Sequence, residues 1–176
     1  MDIIVLAGGL STERDVSFKT GSMVASALKE NGHRVILLDV FMGYSDKEEN
    51  LDGIFDRADE ISVKLDDIPE VAPDLASVKA PRKDQSPCFF GPNVIRMCQM
   101  ADIVFMALHG ENGENGKLQA AFDLLGVKYT GSDYLSSAIA MNKGMAKQLF
   151  ASAGIPAPRG IAMKKENRED DVTKLP

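Results

Sequence analysis

The stretch "DIIVLAGGLSTERDVS" (residues 2–17) decides the fold. Its first half, "DIIVLAG" (2–8), is nearly all apolar and rich in β-branched residues, the pattern of a strand buried on both faces of a parallel sheet. From Val16 the apolar period changes: Val16, Met23, Val24, Ala27 and Leu28 fall on one helical stripe. Ser11 and Ser17 both suit the N-cap of that helix. "ENGH" ends it, with Gly32 as the C′ residue. "RVILLDV" (34–40) is then a second buried strand, which completes a βαβ unit. The glycines between the first strand and the helix, Gly8 and Gly9, mark a place where a ligand comes close to the backbone.

Residues 41–92 break this rhythm. They are polar, punctuated by proline and weakly periodic, and read as an excursion carrying one or two short strands. Order returns with a helix over 93–101 capped by Asn93, then a third buried strand, "DIVFMALHG" (102–110). A glycine-punctuated turn leads into a helix over 117–126, with Leu118, Ala121, Phe122 and Leu125 on one face and Gly126 at its end. "VKYTGS" (127–132) reads as a short fourth strand. Two short helices follow. The second has Asn142 as its cap, Met145, Leu149 and Phe150 as buried residues, and Gly154 at C′. "RGIAM" (159–163) has the pattern of a strand that opens a new sheet, so the C-terminus reads as cut. The expected class is α/β: a Rossmann-like parallel sheet of about four strands flanked by helices, plus a helical stub.

Composition narrows the function. A chain of 176 residues suits one domain, or one and part of another, and buries roughly 70% of its unfolded surface. The net charge of −6 argues against nucleic acid as a partner, which requires a basic face. The N-terminus lacks a basic segment before its apolar run, and no apolar run reaches the roughly 20 residues that span a bilayer, so a cytoplasmic chain without a membrane partner is expected. Cys88 and Cys98 have neither redox nor zinc spacing and read as reduced packing residues.

In an open parallel sheet, ligands bind beyond the carboxyl ends of the strands. Three glycine-containing polar loops fall there: "GGLSTER" (8–14), "HGENGENG" (109–116) and "TGSDYLSSA" (130–138). The first is neither a dinucleotide fingerprint nor a Walker loop, which disfavours an NAD-dependent enzyme. Glu13 is either a solvated residue favouring the helix dipole or a carboxylate for a cationic group such as an amine. His109 is either a satisfied histidine at a strand end or a group that orients a ligand or moves a proton. Lys143, at a helix start, is either a surface lysine or a cation for a phosphate. With His33 at a helix end, no His-based metal site is expected.

Taken together, "GGLSTERDVS" (8–17), "ALHGENGENGKLQ" (107–119), "YTGS" (129–132) and "SAIAMNK" (137–143) closely resemble, in order and spacing, the successive signatures of the D-alanine–D-alanine ligases, enzymes of the ATP-grasp class. The resemblance implies a substrate-binding pre-ATP-grasp domain over 1–132 and the start of the central ATP-grasp domain over 133–176. It implies D-alanine and ATP as substrates, Mg2+ as cofactor, a role in peptidoglycan synthesis, and a homodimer as the common assembly. It implies that Glu13 binds the ammonium of the first D-alanine, that Gly9, Ser11, His109 and Gly110 line its site, and that Lys143 contacts ATP phosphates. Glu13 and His109 are the implied catalytic pair. Two positions depart from the family pattern: Asn115 and Asn142 each stand where the family carries Asp. Most ATP contacts and the magnesium ligands belong to a part of the family pattern with no counterpart here, so this polypeptide alone is expected to be inactive. The alternatives are a stand-alone small-ligand or partner-binding module, and a ligase making D-alanine–D-lactate or D-alanine–D-serine.

Overall fold

The computed structural model describes residues 1–45, 51–63 and 72–160. Strand β1 (Asp2–Ala7) runs at the centre of a three-stranded sheet, with β2 (Arg34–Asp39) on one side and β3 (Ile103–Met106) on the other. Both pairings are parallel; Ile4 stands opposite Ile36 and Val104. The apolar run of β1 is explained by its two covers. Even-numbered Ile4 and Leu6 enter one core with Ile36, Leu38, Val104, Met97 and Phe122. Odd-numbered Ile3, Val5 and Ala7 enter a second core with Val35, Leu37, Phe18 and Ala25. A strand with a core on each face cannot alternate apolar and polar residues. Each such side chain contributes about 1.5–3 kcal/mol by leaving water.

Helix α1 (Arg14–Glu30) covers the second face with only part of the stripe expected from its apolar residues: Val24 and Leu28 pack against that core. Ser17, Phe18, Gly21 and Ala25 are its buried positions. Val16 and Met23 are 52% and 66% exposed. Close approach selects the face: a Cβ on Gly21 would lie 2.9 Å from both Ala7 Cβ and Leu37 Cδ1. Small residues therefore make the closest approach to the sheet, with Phe18, Val24 and Leu28 packed beside them, and Val16 and Met23 are left outside. Glu13, rather than Ser11 or Ser17, occupies the N-cap. The helix ends as expected, with Gly32 at φ +81° and His33 N–H donating to Leu28 O.

The excursion holds no strand among its described residues. It forms a 3-10 turn (Ile54–Arg57) leading into α2 (Ala58–Ile61), and later α3 (Leu75–Lys79). It also supplies Leu51, Ile54, Phe55 and Ala58 to the first core, so part of it is packed structure. Arg82 is buried. Its guanidinium lies 4.5 Å from the centre of the Phe41 ring and donates to Cys88 O and Phe90 O at 2.7 and 2.9 Å. Of the two cysteines, Cys98 is buried, and burial pushes its thiol up to about 12; Cys88 is exposed and is not a packing residue.

Helix α4 (Val94–Met100) starts at Asn93, whose side chain makes no capping bond. Its amide donates instead to Tyr44 O at 2.9 Å, tying the helix start to the segment after β2. After β3 come α5 (Glu111–Glu114) and α6 (Lys117–Leu125). Leu118 and Phe122 of α6 are buried as expected, but Leu125 is 39% exposed and Gln119 is buried in its stead. Gln119 Nε2 reaches back 2.9 Å to Gly113 O, which a leucine could not do.

The expected fourth strand shrinks to a single bridge between Val104 and Tyr129. Val104 N–H donates to Lys128 O, and Thr130 N–H donates to Val104 O. The next ladder position is taken by a side chain, because Met106 N–H donates to Thr130 Oγ1 at 3.1 Å. The far edge is finished in the same manner. Leu37 N–H donates to Ser62 Oγ at 3.2 Å, and Val63 N–H donates to Leu37 O at 3.0 Å.

The last described elements are α7 (Tyr134–Met141) and α8 (Lys143–Ser152). Asp133 caps α7, and the N–H and hydroxyl of Ser136 hold its carboxyl below the usual range. Asn142 caps α8 through Met145 N–H, as expected. Met145, Leu149 and Phe150 are not buried; they are 48%, 45% and 44% exposed, because no described element covers that face. The strand expected at 159–163 lies largely outside the described residues. No helix among the described residues is long and apolar enough to cross a membrane.

Candidate functional site

The chain leaves β1 to one side for β2 and later returns to the other side for β3. The order therefore reverses between β1 and β3, the kind of position beyond whose carboxyl ends ligands bind in open parallel sheets. The loop after β1 and the loop after β3 meet there.

The first loop is fixed by buried charge. Arg14 and Asp39 form a two-pronged ion pair, their side chains only 12% and 4% exposed. Asp39 Oδ1 also accepts the N–H groups of Gly9 and Phe41, at 3.3 and 2.9 Å. Arg14 Nη1 donates to Gly9 O at 2.6 Å, so one pair grips both ends of the Gly9 peptide unit. Gly8 has φ +75°, and a Cβ there would strike Phe18 Cζ at 2.7 Å and Asp39 Oδ1 at 2.8 Å. Only glycine fits. Ser17 works from the helix: it accepts Gly8 N–H at 2.9 Å and donates to Ala107 O at 2.7 Å, joining the two loops through one hydroxyl.

On this frame Ser11 and Glu13 meet His109 and Gly110. Ser11 Oγ donates to His109 O at 3.1 Å and accepts Glu13 N–H at 3.3 Å. A Cβ on Gly110 would lie 3.1 Å from Ser11 Oγ and 3.3 Å from Glu13 Oε2. The Glu13 carboxylate thus lies against Gly110, next in chain to the half-buried His109. Ser11, Glu13, His109 and Gly110 are brought together, whereas Gly9 packs towards Val40, Phe89 and Leu108. His109 lies beyond the end of β3, which stops at Met106 instead of running to the His-Gly pair.

Lys143 stands apart. It is exposed at the first position of α8, and its ammonium donates to Ala140 O at 3.2 Å. Beside the loop after His109, a cleft of about 400 Å³ is lined by Met106, Leu108, Gln119, Thr130, Ser136 and Ser137. Among the described residues no group of three or more His, Cys, Asp or Glu side chains could hold a metal ion.

Sequence reasoning passed over Asp39, Arg14 and Ser17 as builders of this site. Asp39 did leave a signal: a lone carboxylate at the end of the run "VILLD" needs a partner once buried. Ser17 left none, since a serine four residues after a loop glutamate reads equally well as a cap.

A carboxylate and an imidazole, carried on two loops at the switch point of a parallel sheet, stand on an α/β domain with helices on both faces. Comparison gives the family. A sequence profile described as "D-ala D-ala ligase N-terminus" matches residues 2–132, and the chain belongs to that family. It is 45% identical over 156 residues to the D-alanine–D-alanine ligase of Lacticaseibacillus casei, covering 88% of this chain and 43% of that protein. Its fold is similar to that of the Bacillus anthracis D-alanine–D-alanine ligase complexed with ATP, with a TM-score of 0.61 and 25% identity, over 100% of this chain and 46% of the other. The VanG D-Ala:D-Ser ligase of Enterococcus faecalis gives a TM-score of 0.57 at 26% identity, over 98% of this chain and 47% of the other. The chain spans less than half the length of these relatives.

Proposed function

We propose that this chain supplies the binding site for the first D-alanine in an ATP-dependent D-alanine–D-alanine ligase. Residues 1–132 form the substrate domain, and residues 133–176 begin the ATP-grasp domain. One observation carries the reading: Glu13 Oε2 approaches Gly110, the residue after His109, between two loops whose backbones are tied by buried groups.

The chemistry follows from the residue types. A carboxylate that only accepts hydrogen bonds matches an ammonium that only donates. Anchoring the ammonium fixes where the substrate's own carboxylate points, which a phosphoryl transfer in this class requires. ATP phosphorylates that carboxylate, the amine of the second substrate attacks the acyl phosphate, and inorganic phosphate leaves. His109 orients these groups or takes the proton of the incoming amine. Lys143, exposed at the start of a helix, suits an ATP phosphate. Magnesium in this class neutralises phosphate charge; the described residues offer no cluster of three or more His, Cys, Asp or Glu side chains for it. The two named activities among the similar structures, D-Ala:D-Ala and D-Ala:D-Ser ligation, both begin with D-alanine, and it is this first substrate that the site binds. Synthesis of a peptidoglycan precursor in the cytoplasm, and a homodimer, accompany the reading through the family.

The test is a calorimetric titration of D-alanine into the wild-type chain and Glu13→Gln. The substitution removes a charge-assisted bond, so a loss of about ten- to a hundredfold in affinity is expected. Equal affinity in the two proteins would sink the assignment. Phosphate release from D-alanine and ATP by this polypeptide alone should stay at background.

A further inference from the structure

Helix α1 presents one more hydroxyl to the site. Thr20 stands about one turn after Ser17, and its Oγ1 lies 3.1 Å from Nε2 of His109. Helical threonines commonly donate back to the carbonyl four residues earlier. Thr20 makes no such bond, and its hydroxyl is directed to the imidazole instead. Helical threonines divide between two χ1 rotamers, and the one adopted here aims the hydroxyl at the imidazole.

We propose that Thr20 is a positioning residue for His109: its hydroxyl engages Nε2 and thereby fixes the ring plane and leaves Nδ1 as the nitrogen facing the ligand. The backbone of His109 is already tied down, because its carbonyl accepts Ser11 Oγ. That bond leaves the ring free to rotate about its own side-chain torsions. Thr20 supplies the second point that removes this freedom. Among the described residues Nδ1 has no hydrogen-bond partner, so it is the nitrogen left over for chemistry. Which imidazole nitrogen carries the proton is set by the bond the other one makes. A hydroxyl can donate to Nε2 or accept from it, so Thr20 fixes the orientation of the ring in either tautomer. The inference rests on the reading that His109 faces the first D-alanine, but its test does not.

The chain contains two histidines, and His33 lies at the far end of α1, which makes it an internal reference. Ring ¹⁵N shifts, recorded by long-range correlation on wild type, Thr20→Val and Thr20→Ser, report the protonation and hydrogen bonding of each imidazole nitrogen. Wild type should show His109 with a pair of ring shifts distinct from that of His33. Thr20→Val, isosteric but without the hydroxyl, should move the His109 pair towards the His33 values, and Thr20→Ser should restore it. His33 should be unchanged in all three. Unchanged His109 shifts in Thr20→Val, or equal shifts in the Val and Ser variants, would overturn the proposal. If Thr20→Val loses its native amide spectrum, Thr20→Ala serves in the same comparison. In the D-alanine titration, Thr20→Val should weaken binding about three- to tenfold, as for one neutral hydrogen bond. A wild-type chain that binds no D-alanine but shows the expected ring shifts would overturn the functional reading and leave the role of Thr20 intact.

Discussion

The two regions that carry the candidate ligand groups are built in opposite ways. The loop after β1 is held by an ion pair whose carboxylate is 4% exposed, by the Ser17 hydroxyl, and by a glycine that no other residue can replace. Lys143 sits on an exposed helix whose Leu149 and Phe150 are 45% and 44% exposed. The first region fixes the backbone from which its charge projects, through short bonds to Gly8 and Gly9. The second offers a charge on a flexible stem. A site that must tell one small amino acid from another needs the first kind. A site that neutralises phosphate can use the second, since a lysine acts there as a point charge.

Three substitutions test this contrast. Asp39→Ala should have the largest effect, because it strands the Arg14 guanidinium and removes the acceptor of Gly9 N–H and Phe41 N–H. Breaking a buried pair costs about 3–5 kcal/mol, read as a fall in the urea midpoint. A loss below about 1 kcal/mol would mean that the loop does not depend on the pair. Ser17→Ala leaves the buried Gly8 N–H without an acceptor. The expected cost is about 1–3 kcal/mol, together with faster amide exchange at Gly8. Leu149→Ser should change stability by no more than about 0.5 kcal/mol. A large loss there would show that the exposed face of α8 is packed in solution and would erase the contrast.

Much of the fold was legible because buried parallel strands have a simple signature. "DIIVLA" and "RVILLD" announced β1 and β2 to within a residue or two. The site loops were legible for a different reason: glycine, hydroxyl and charge recur at three strand ends, and their wording matches a known family. The packing face of α1 was only partly legible. Apolar periodicity points to Val16 and Met23, whereas the sheet requires the small residues Ser17, Gly21 and Ala25. The fourth strand misled in the same way: "VKYT" has the composition of a strand, yet the Thr130 side chain takes the bond that a further backbone pair would have made. Polar residues that act through a single hydroxyl, such as Ser17 and Thr20, carry no pattern in one dimension. Only the fold shows what lies opposite them.

The two hydroxyls that finish the sheet have a consequence outside catalysis. An uncovered strand edge is a template on which another chain can pair, and three parallel strands leave two such edges. Here Thr130, with the peptides around Tyr129, occupies the outward N–H groups of Val104 and Met106. Ser62 and Val63 occupy the outward N–H and carbonyl of Leu37. A sheet this narrow is thereby kept from growing: an incoming strand would first have to displace bonds that the chain already makes to itself.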